Sequence, residues 1–195
     1  MVIWDLKNGY TTSRAKFLKG VHIPPRPFLG VSGTAPSGGE FGMIPHQTFG
    51  GNMDNRLLSR GAILTLPVNQ TGALLSFADP HGAQGDGEVC GTTIETSAVA
   101  VLKVNIQKNT KVGYPSLVSR ENCDGREIVS MGISPYLKGA ASTPVMEMIR
   151  QLECRGFTSE EGYVLCSVTG NLRISELVNE PNFVVSIVLP EEIIR

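Results

Sequence analysis

No apolar run in the 195 residues approaches the ~18 consecutive positions a bilayer-spanning helix needs, which excludes an integral helical membrane protein. Residues 1–14 lack a basic stretch feeding an apolar one, so no secretory leader is visible and a cytoplasmic location is expected. Neither sign of charge dominates. With 17 Lys and Arg against 18 Asp and Glu, a net charge of −1 leaves no bulk field to hold a nucleic acid or an anionic membrane. Cysteine is sparse and scattered: Cys90, Cys123, Cys154 and Cys166 form no C-x-x-C and precede no histidine pair at finger spacing, which argues against a zinc ribbon. Free, buried thiols in a reducing compartment are the expectation. No fixed-period repeat occurs, and strand–helix alternation is too weak for a doubly wound sheet.

What is present is a hydrophobic fraction of 41%, enough for a real core and too much for a disordered chain. The length predicts one domain or two small ones. The 22 glycines exceed the ~7% average and concentrate in the first half, where they announce tight backbone turns.

Residues 1–26 are mixed and end in Ile23-Pro24-Pro25-Arg26-Pro27, an extended connector that disfavours helix. Residues 27–34 read as a short strand closed by Ala35-Pro36-Ser37-Gly38-Gly39. Two apolar runs, 62–68 and 73–78, flank a four-residue loop and predict a hairpin. A long strand is predicted from the strict period-two series Ala98, Ala100, Leu102, Val104 and Ile106. Further strands are predicted at 116–119 and 127–134, flanking an Asn122-Cys123-Asp124-Gly125 turn, and at 183–189; residues 172–178 are ambiguous. Thr143 and Pro144 predict the cap and first residue of a helix that packs Val145, Met148, Ile149 and Leu152 and stops at Gly156. Thr158-Ser159-Glu160-Glu161 predicts a capping box for a second helix through about residue 168. The sum is an α+β chain with a β-rich, sandwich-like core and two helices in its C-terminal third. The helices should form a small lobe or flank the sheet.

The densest chemistry lies in Asp79-Pro80-His81-Gly82-Ala83-Gln84-Gly85-Asp86-Gly87-Glu88. Three carboxylates, an imidazole and an amide share ten residues that read as loop, and glycine-rich backbone lets such side chains converge. Carboxylate with neutral imidazole suits a transition ion, whereas oxygen alone would suit Ca²⁺ or Mg²⁺. The bland alternative is an exposed loop whose Asp and Gly only make turns. The segment is neither an EF-hand nor a phosphate loop, because the required Glu and Gly-Lys-Ser/Thr positions are absent. Gly50-Gly51-Asn52-Met53-Asp54 is the second candidate, since Asn52 and Asp54 would point the same way from extended backbone; an ordinary Gly/Asn turn is the alternative. His22 and His46 sit beside loop residues and are expected in solvent. Glu95 could reach the same site, but by position alone a solvent face is the stronger expectation. Cys90 near Glu88 and His81 could be a nucleophile, but a buried small hydrophobe is the stronger expectation.

These segments together resemble the acetamidase/formamidase family of amide hydrolases. The resemblance rests on Pro27-Phe-Leu-Gly-Val-Ser-Gly-Thr-Ala-Pro36, Gly50-Gly-Asn-Met-Asp54 and the long ordered stretch from Ala73 through Asp79-Pro-His81-Gly-Ala-Gln84-Gly-Asp86-Gly-Glu88 to Glu95. It continues in Glu161-Gly-Tyr-Val-Leu-Cys-Ser167 and Leu172-Arg-Ile-Ser-Glu-Leu-Val-Asn179. It implies that residues 1–26 are an extension and 27–195 the later part of the family fold. The family's usual N-terminal β-rich portion has no counterpart before Pro27, and Asn171 stands where the family typically has Asp. A homo-oligomer, or a separate chain supplying that portion, is the implied assembly.

The implied activity is hydrolysis of short aliphatic amides, formamide and acetamide, to a carboxylate and ammonia by a metal-activated water. The family's motif residues fall on Asn52, Asp54, Asp79, His81, Gln84, Asp86, Glu88 and Glu95. Asp79, His81 and Asp54 are the expected ligands of a divalent ion, Zn²⁺ first and Ca²⁺ second. Glu88 is the expected base, with Asn52 and Gln84 donating to or orienting the amide. A catalytically inactive homologue acting as a binding or regulatory subunit, and a Ca²⁺-stapled structural β-domain, are the alternatives from other classes.

Overall fold

In the computed structural model, which describes residues 1–7, 9–120 and 125–194, the chain opens with three short strands, β1 (Trp4–Lys7), β2 (Tyr10–Ser13) and β3 (His22–Ile23), in a small antiparallel sheet. The sequence reading gave no sheet before the prolines. A second sheet has the order β5-β4-β7, built from β4 (Phe28–Gly33), β5 (Gly50–Asn52) and β7 (Ser76–His81). The main sheet has five strands in the order β10-β11-β9-β8-β6. They are β6 (Ile63–Thr65), β8 (Ser116–Ser119), β9 (Glu127–Ser134), β10 (Asn171–Glu176) and β11 (Phe183–Pro190). Two helices, α1 (Leu137–Glu153) and α2 (Ser159–Val168), complete the α+β fold with its β-rich core. No helix among the described residues is long and apolar enough to cross a membrane.

β9 and β11 are buried along nearly their whole length, because the main sheet is covered on both faces. On one face Ile128, Ile187 and Leu189 meet Met148 and Leu152 of α1 and Cys166 of α2. On the other, Val129, Met131, Val184 and Val188 meet Met53 and Leu57. Burying such side chains contributes about 1.5–3 kcal/mol each. The second cluster therefore ties the 53–57 segment, next to Asp54, to the strongest part of the fold.

The predicted 62–68/73–78 hairpin does not form. β6 pairs with β8 in the main sheet and β7 with β4 in the second, so the turn between them joins two sheets. β7 also runs through Asp79, Pro80 and His81, which the sequence reading placed in a loop; Phe28 pairs with His81 and Leu29 with Pro80. Proline is tolerated there because β7 lies at the sheet edge, where a missing N–H breaks no ladder. The strand expected at 98–106 is absent as well. Val99 and Val101 are fully exposed, and nothing among the described residues pairs with them.

α1 begins at Leu137, two turns ahead of the predicted cap. Thr143 does not cap; its hydroxyl donates to the Gly139 carbonyl within the helix, and Pro144 is an interior residue. That turn lies directly on β9 at Gly132, where any Cβ would collide with Ala140 O and Pro144 Cδ, and Pro144 is buried there. The capping box of α2 forms as predicted: Thr158 accepts from Glu161 N and Glu161 accepts from Thr158 N. The turn predicted at 122–125 lies outside the described residues but for Gly125. Cys166 is buried as expected, whereas Cys90 and Cys154 are exposed.

Candidate active site

The site forms where the end of β7 meets the segment after β5. Gly30 O accepts from both Met53 N (3.0 Å) and Asp54 N (3.2 Å), which seats Asp54 beside β4. From there Asp54 Oδ1 lies 3.8 Å from His81 Nε2, and Asp79 Oδ2 lies 3.1 Å from the same atom. One donor atom from each of Asp54, Asp79 and His81 falls within 4.8 Å of the others; the same holds for His81, Glu88 and Glu95. The structure thus brings together the three expected ligands and the expected base. It also brings in Glu95, which stays exposed as its solvent-face reading expected yet reaches the site: Glu95 pairs with His81 in a β-bridge and puts Oε2 3.5 Å from Nε2. Its other oxygen accepts from Thr93 N and from the Thr92 and Thr93 hydroxyls.

Gln84 determines what His81 offers to this cluster. Its Nε2 donates to the Asp54 backbone oxygen, which can only accept, so its Oε1 is the end that faces His81 Nδ1 at 2.9 Å. An amide oxygen can only accept, so Nδ1 carries the hydrogen. In the neutral ring Nε2 is then a bare lone pair. Phe28 packs edge-on against the ring, with centroids 4.9 Å apart, and holds its plane. A lone pair facing three carboxylate oxygens is an arrangement that a cation or a proton must bridge.

The electrostatics point the same way. The Glu88 carboxyl is pushed up to about 8, first by burial and then by the neighbouring Asp54. Asp54 is also raised, chiefly by burial, and its Oδ1 is buried without a hydrogen-bond partner. Glu176, fully buried behind them, is raised to about 7 by burial, with Asp54 adding to the effect. The residues present therefore fit a divalent ion: an orphaned carboxylate oxygen, an aimed imidazole nitrogen, and excess negative charge. Space is reserved as well. A Cβ on Gly30 would stand 2.8 Å from Asp79 Oδ2 and 2.9 Å from His81 Cε1.

Three of the six non-glycine residues with positive φ described here are site acids: Asp54 (42°), Asp79 (60°) and Glu88 (46°). Such backbone costs about 1–3 kcal/mol per residue and persists only where the surrounding structure holds it.

The other expected site residues have different surroundings. Asn52 Nδ2 donates to Ile44 O, and Asp54 leaves the extended backbone that was to align the two. Asp86 forms a two-pronged ion pair with Arg173, at 2.9 and 3.0 Å, which pins the 84–88 loop to β10. Cys90 is exposed, its thiol directed at Thr92 O. His22 is exposed as expected, but His46 is completely buried, with Nδ1 3.1 Å from Asn52 O and 3.4 Å from Glu176 Oε2. Burial holds its pKa down to about 4. Missed from the sequence were Gly30, Glu176 and Asn179, whose Nδ2 donates to Asp54 Oδ2 at 2.6 Å. All three stood inside motif segments, but no local pattern distinguished them from turn and strand residues.

Comparison with known proteins decides the family. The acetamidase/formamidase family model matches residues 39–195. The chain belongs to the acetamidase/formamidase family. It is 28% identical over 168 residues to the formamidase of Methylophilus methylotrophus, covering 77% of this chain and 41% of that protein. A Schizosaccharomyces pombe protein is 35% identical over 125 residues, 62% of this chain and 26% of its own length. The solved acetamidase of Yersinia enterocolitica superposes with a TM-score of 0.88 at 27% identity, over 98% of this chain and 56% of that one. The chain thus spans well under half the length of these two sequence relatives.

Proposed function

We propose that this chain carries the metal-holding and proton-transferring part of a hydrolase acting on short aliphatic amides. The observation that carries the reading is His81 Nε2, bared by Gln84 and aimed at the carboxylates of Asp54 and Asp79. Asp54, Asp79 and His81 would hold a divalent ion. An imidazole among the ligands favours Zn²⁺ over Ca²⁺. When bound, such an ion polarises a carbonyl oxygen and lowers the pKa of water.

Glu88 supplies the proton traffic. Its carboxyl, raised to about 8 by burial beside Asp54, in its ionised form accepts a proton from the attacking water and returns it to the departing amide nitrogen. Glu95 adds negative charge opposite Asp79, and its three hydrogen bonds keep Oε2 turned toward His81. Gln84 holds the imidazole, and Asn52, engaged with Ile44, holds the 44–52 loop.

The reading includes assembly. Asp79 and Glu95 keep 38% and 48% of their side-chain surface open, so one side of the site lacks a wall. The apolar 98–106 segment, just after Glu95, is exposed and has no pairing partner among the described residues. A second copy, or a separate chain supplying the rest of the family fold, would close that side.

The test is ammonia release from formamide and acetamide by the chain as isolated, after chelation, and after Zn²⁺ is restored. Loss on chelation and recovery with metal is the expected result. Turnover that persists in a fully chelated sample would overturn the metal role, and turnover that persists in Glu88→Gln would overturn the assigned base.

A further inference from the structure

The connection from β10 to β11 is the part of the molecule that the proposed reaction leaves without a task, yet it reaches the site directly. Asn179 lies 125 positions from Asp54 in sequence and donates Nδ2–H to Asp54 Oδ2 at 2.6 Å. Asp54 Oδ1, the other oxygen of that carboxylate, is buried and has no hydrogen-bond partner. One oxygen is therefore occupied by an amide donor while the other is left bare on the side of His81.

Asn179 is itself held. Glu176 ends β10 completely buried, and its Oε1 accepts from Val178 N and, at 2.6 Å, from Asn179 N. The side chain thus closes the turn that carries Asn179. The same strand end also fixes the loop bearing Glu88. Gly87 N donates to Ser175 O at 3.1 Å, and Gly87 O accepts from Leu177 N at 3.2 Å. Both contacts belong to a parallel bridge between Gly87 and Glu176.

We propose that Asn179 is a positioning residue that orients Asp54 as a one-oxygen metal ligand, with Glu176 locking Asn179 in place. The inference rests on the metal-site reading above. Its chemistry is that of an outer-sphere hydrogen bond: donation to one carboxylate oxygen fixes the rotation of the group and selects the oxygen that faces the ion. Asparagine is suited because its Nδ2 donates without adding charge, whereas aspartate here would place a further carboxylate against Asp54.

The experiment measures Zn²⁺ affinity of the whole chain by competition with a chromophoric chelator, together with the visible spectrum of the Co²⁺-loaded protein. The proteins are wild type, Asn179→Ala, Asn179→Asp and Asn182→Ala. Asn182 lies in the same connection but donates to His46 O at 2.8 Å, away from the ligands. It controls for general loosening of the loop. Asn179→Ala should weaken Zn²⁺ binding about 10–100-fold and alter the Co²⁺ bands, Asn179→Asp should do at least as much, and Asn182→Ala should do neither.

Wild-type affinity in either Asn179 variant, or equal losses in Asn182→Ala, would overturn the inference alone. Failure of the wild type to bind either ion would overturn the metal reading and this inference with it. If Asn179→Ala does not fold, as judged by circular dichroism, Asn179→Leu keeps the side-chain size and removes the donor to Asp54 Oδ2. Unchanged affinity and Co²⁺ bands in that variant then count against the role.

Discussion

Gly30 faces the imidazole of His81 so closely that a side-chain carbon on it would stand 2.9 Å from the ring's Cε1. The same carbon would meet Asp79 Oδ2 at 2.8 Å and Asp54 Oδ1 closer still. Gly30 lies in a regular strand and does not have the positive φ that usually calls for glycine. Its lack of a side chain serves the three donors above it. Gly30→Ala should destabilise the chain by about 1–3 kcal/mol through overpacking. It should also reduce Zn²⁺ binding by at least tenfold, a loss measured by metal analysis after equilibrium dialysis. A variant that keeps full metal content would show that the space is incidental.

Gln84 makes a sharper prediction, because it acts on one hydrogen atom. In the wild type, long-range proton–nitrogen NMR should show His81 protonated at Nδ1 and bare at Nε2. Gln84→Leu removes the acceptor from Nδ1 and the donor to Asp54 O at once. The ring should then populate both tautomers, and metal affinity should fall about 10–100-fold. An unchanged His81 spectrum in that variant would count against the orienting role.

Local chemistry was readable where it depended on neighbours in sequence. The capping box at Thr158 and Glu161 and the buried β9 and β11 strands follow from short patterns, and they formed. Strand pairing was less readable, since the partners of β6 and β7 lie in different sheets and a hairpin was the nearest local guess. The period-two series at 98–106 reads as a strand, but alternation alone supplies no pairing partner, and the segment is exposed. Within the site, residue types alone singled out the ten-residue 79–88 stretch, and the structure gathers its Asp79, His81 and Glu88 near Asp54 and Glu95. Asn179 could not be found that way: its bond to Asp54 spans 125 positions and exists only after the two sheets have packed.

The raised carboxyls give the metal-free protein a stability that depends on pH. Glu88 and Glu176 have folded values of about 8 and about 7 against an ordinary 4.5. Their contribution is therefore fully present below pH 4.5 and is lost as pH rises through 7 and 8. His46 works in the opposite sense: its folded value of about 4 contributes stability above pH 6.5 that is lost as pH falls toward 4. Glu88 and Glu176, with Asp54 shifted in the same direction, outweigh the single imidazole. The melting temperature of the chelated chain should fall between pH 5 and pH 8, with a total effect on the order of a few kcal/mol. Zn²⁺ should stabilise far more at pH 8 than at pH 5, where protons compete for the same oxygens. A flat profile, or one unchanged in Glu88→Gln, would remove these groups as its source.

Glu88 combines two costs that a pair of substitutions can separate. Its carboxyl is buried against Asp54, and its backbone sits at a φ of 46°, where a residue with a Cβ is strained. Glu88→Ala removes the charge and keeps the strain; Glu88→Gly removes both. Both truncations vacate nearly the same side-chain volume, so their difference reports the backbone. In ordinary strand or helix conformations glycine is the less stable of the two by about 0.5–1 kcal/mol. Here the order should reverse, with the glycine variant more stable by about 1 kcal/mol, because alanine pays the left-handed penalty. In urea unfolding of chelated samples at pH 8, the predicted ranking is Glu88→Gly, then Glu88→Ala, then wild type. Neither variant should release ammonia from formamide. A protein that gains stability when its base is removed is one whose fold holds that base under strain, and the ranking measures how much of the strain lies in the backbone.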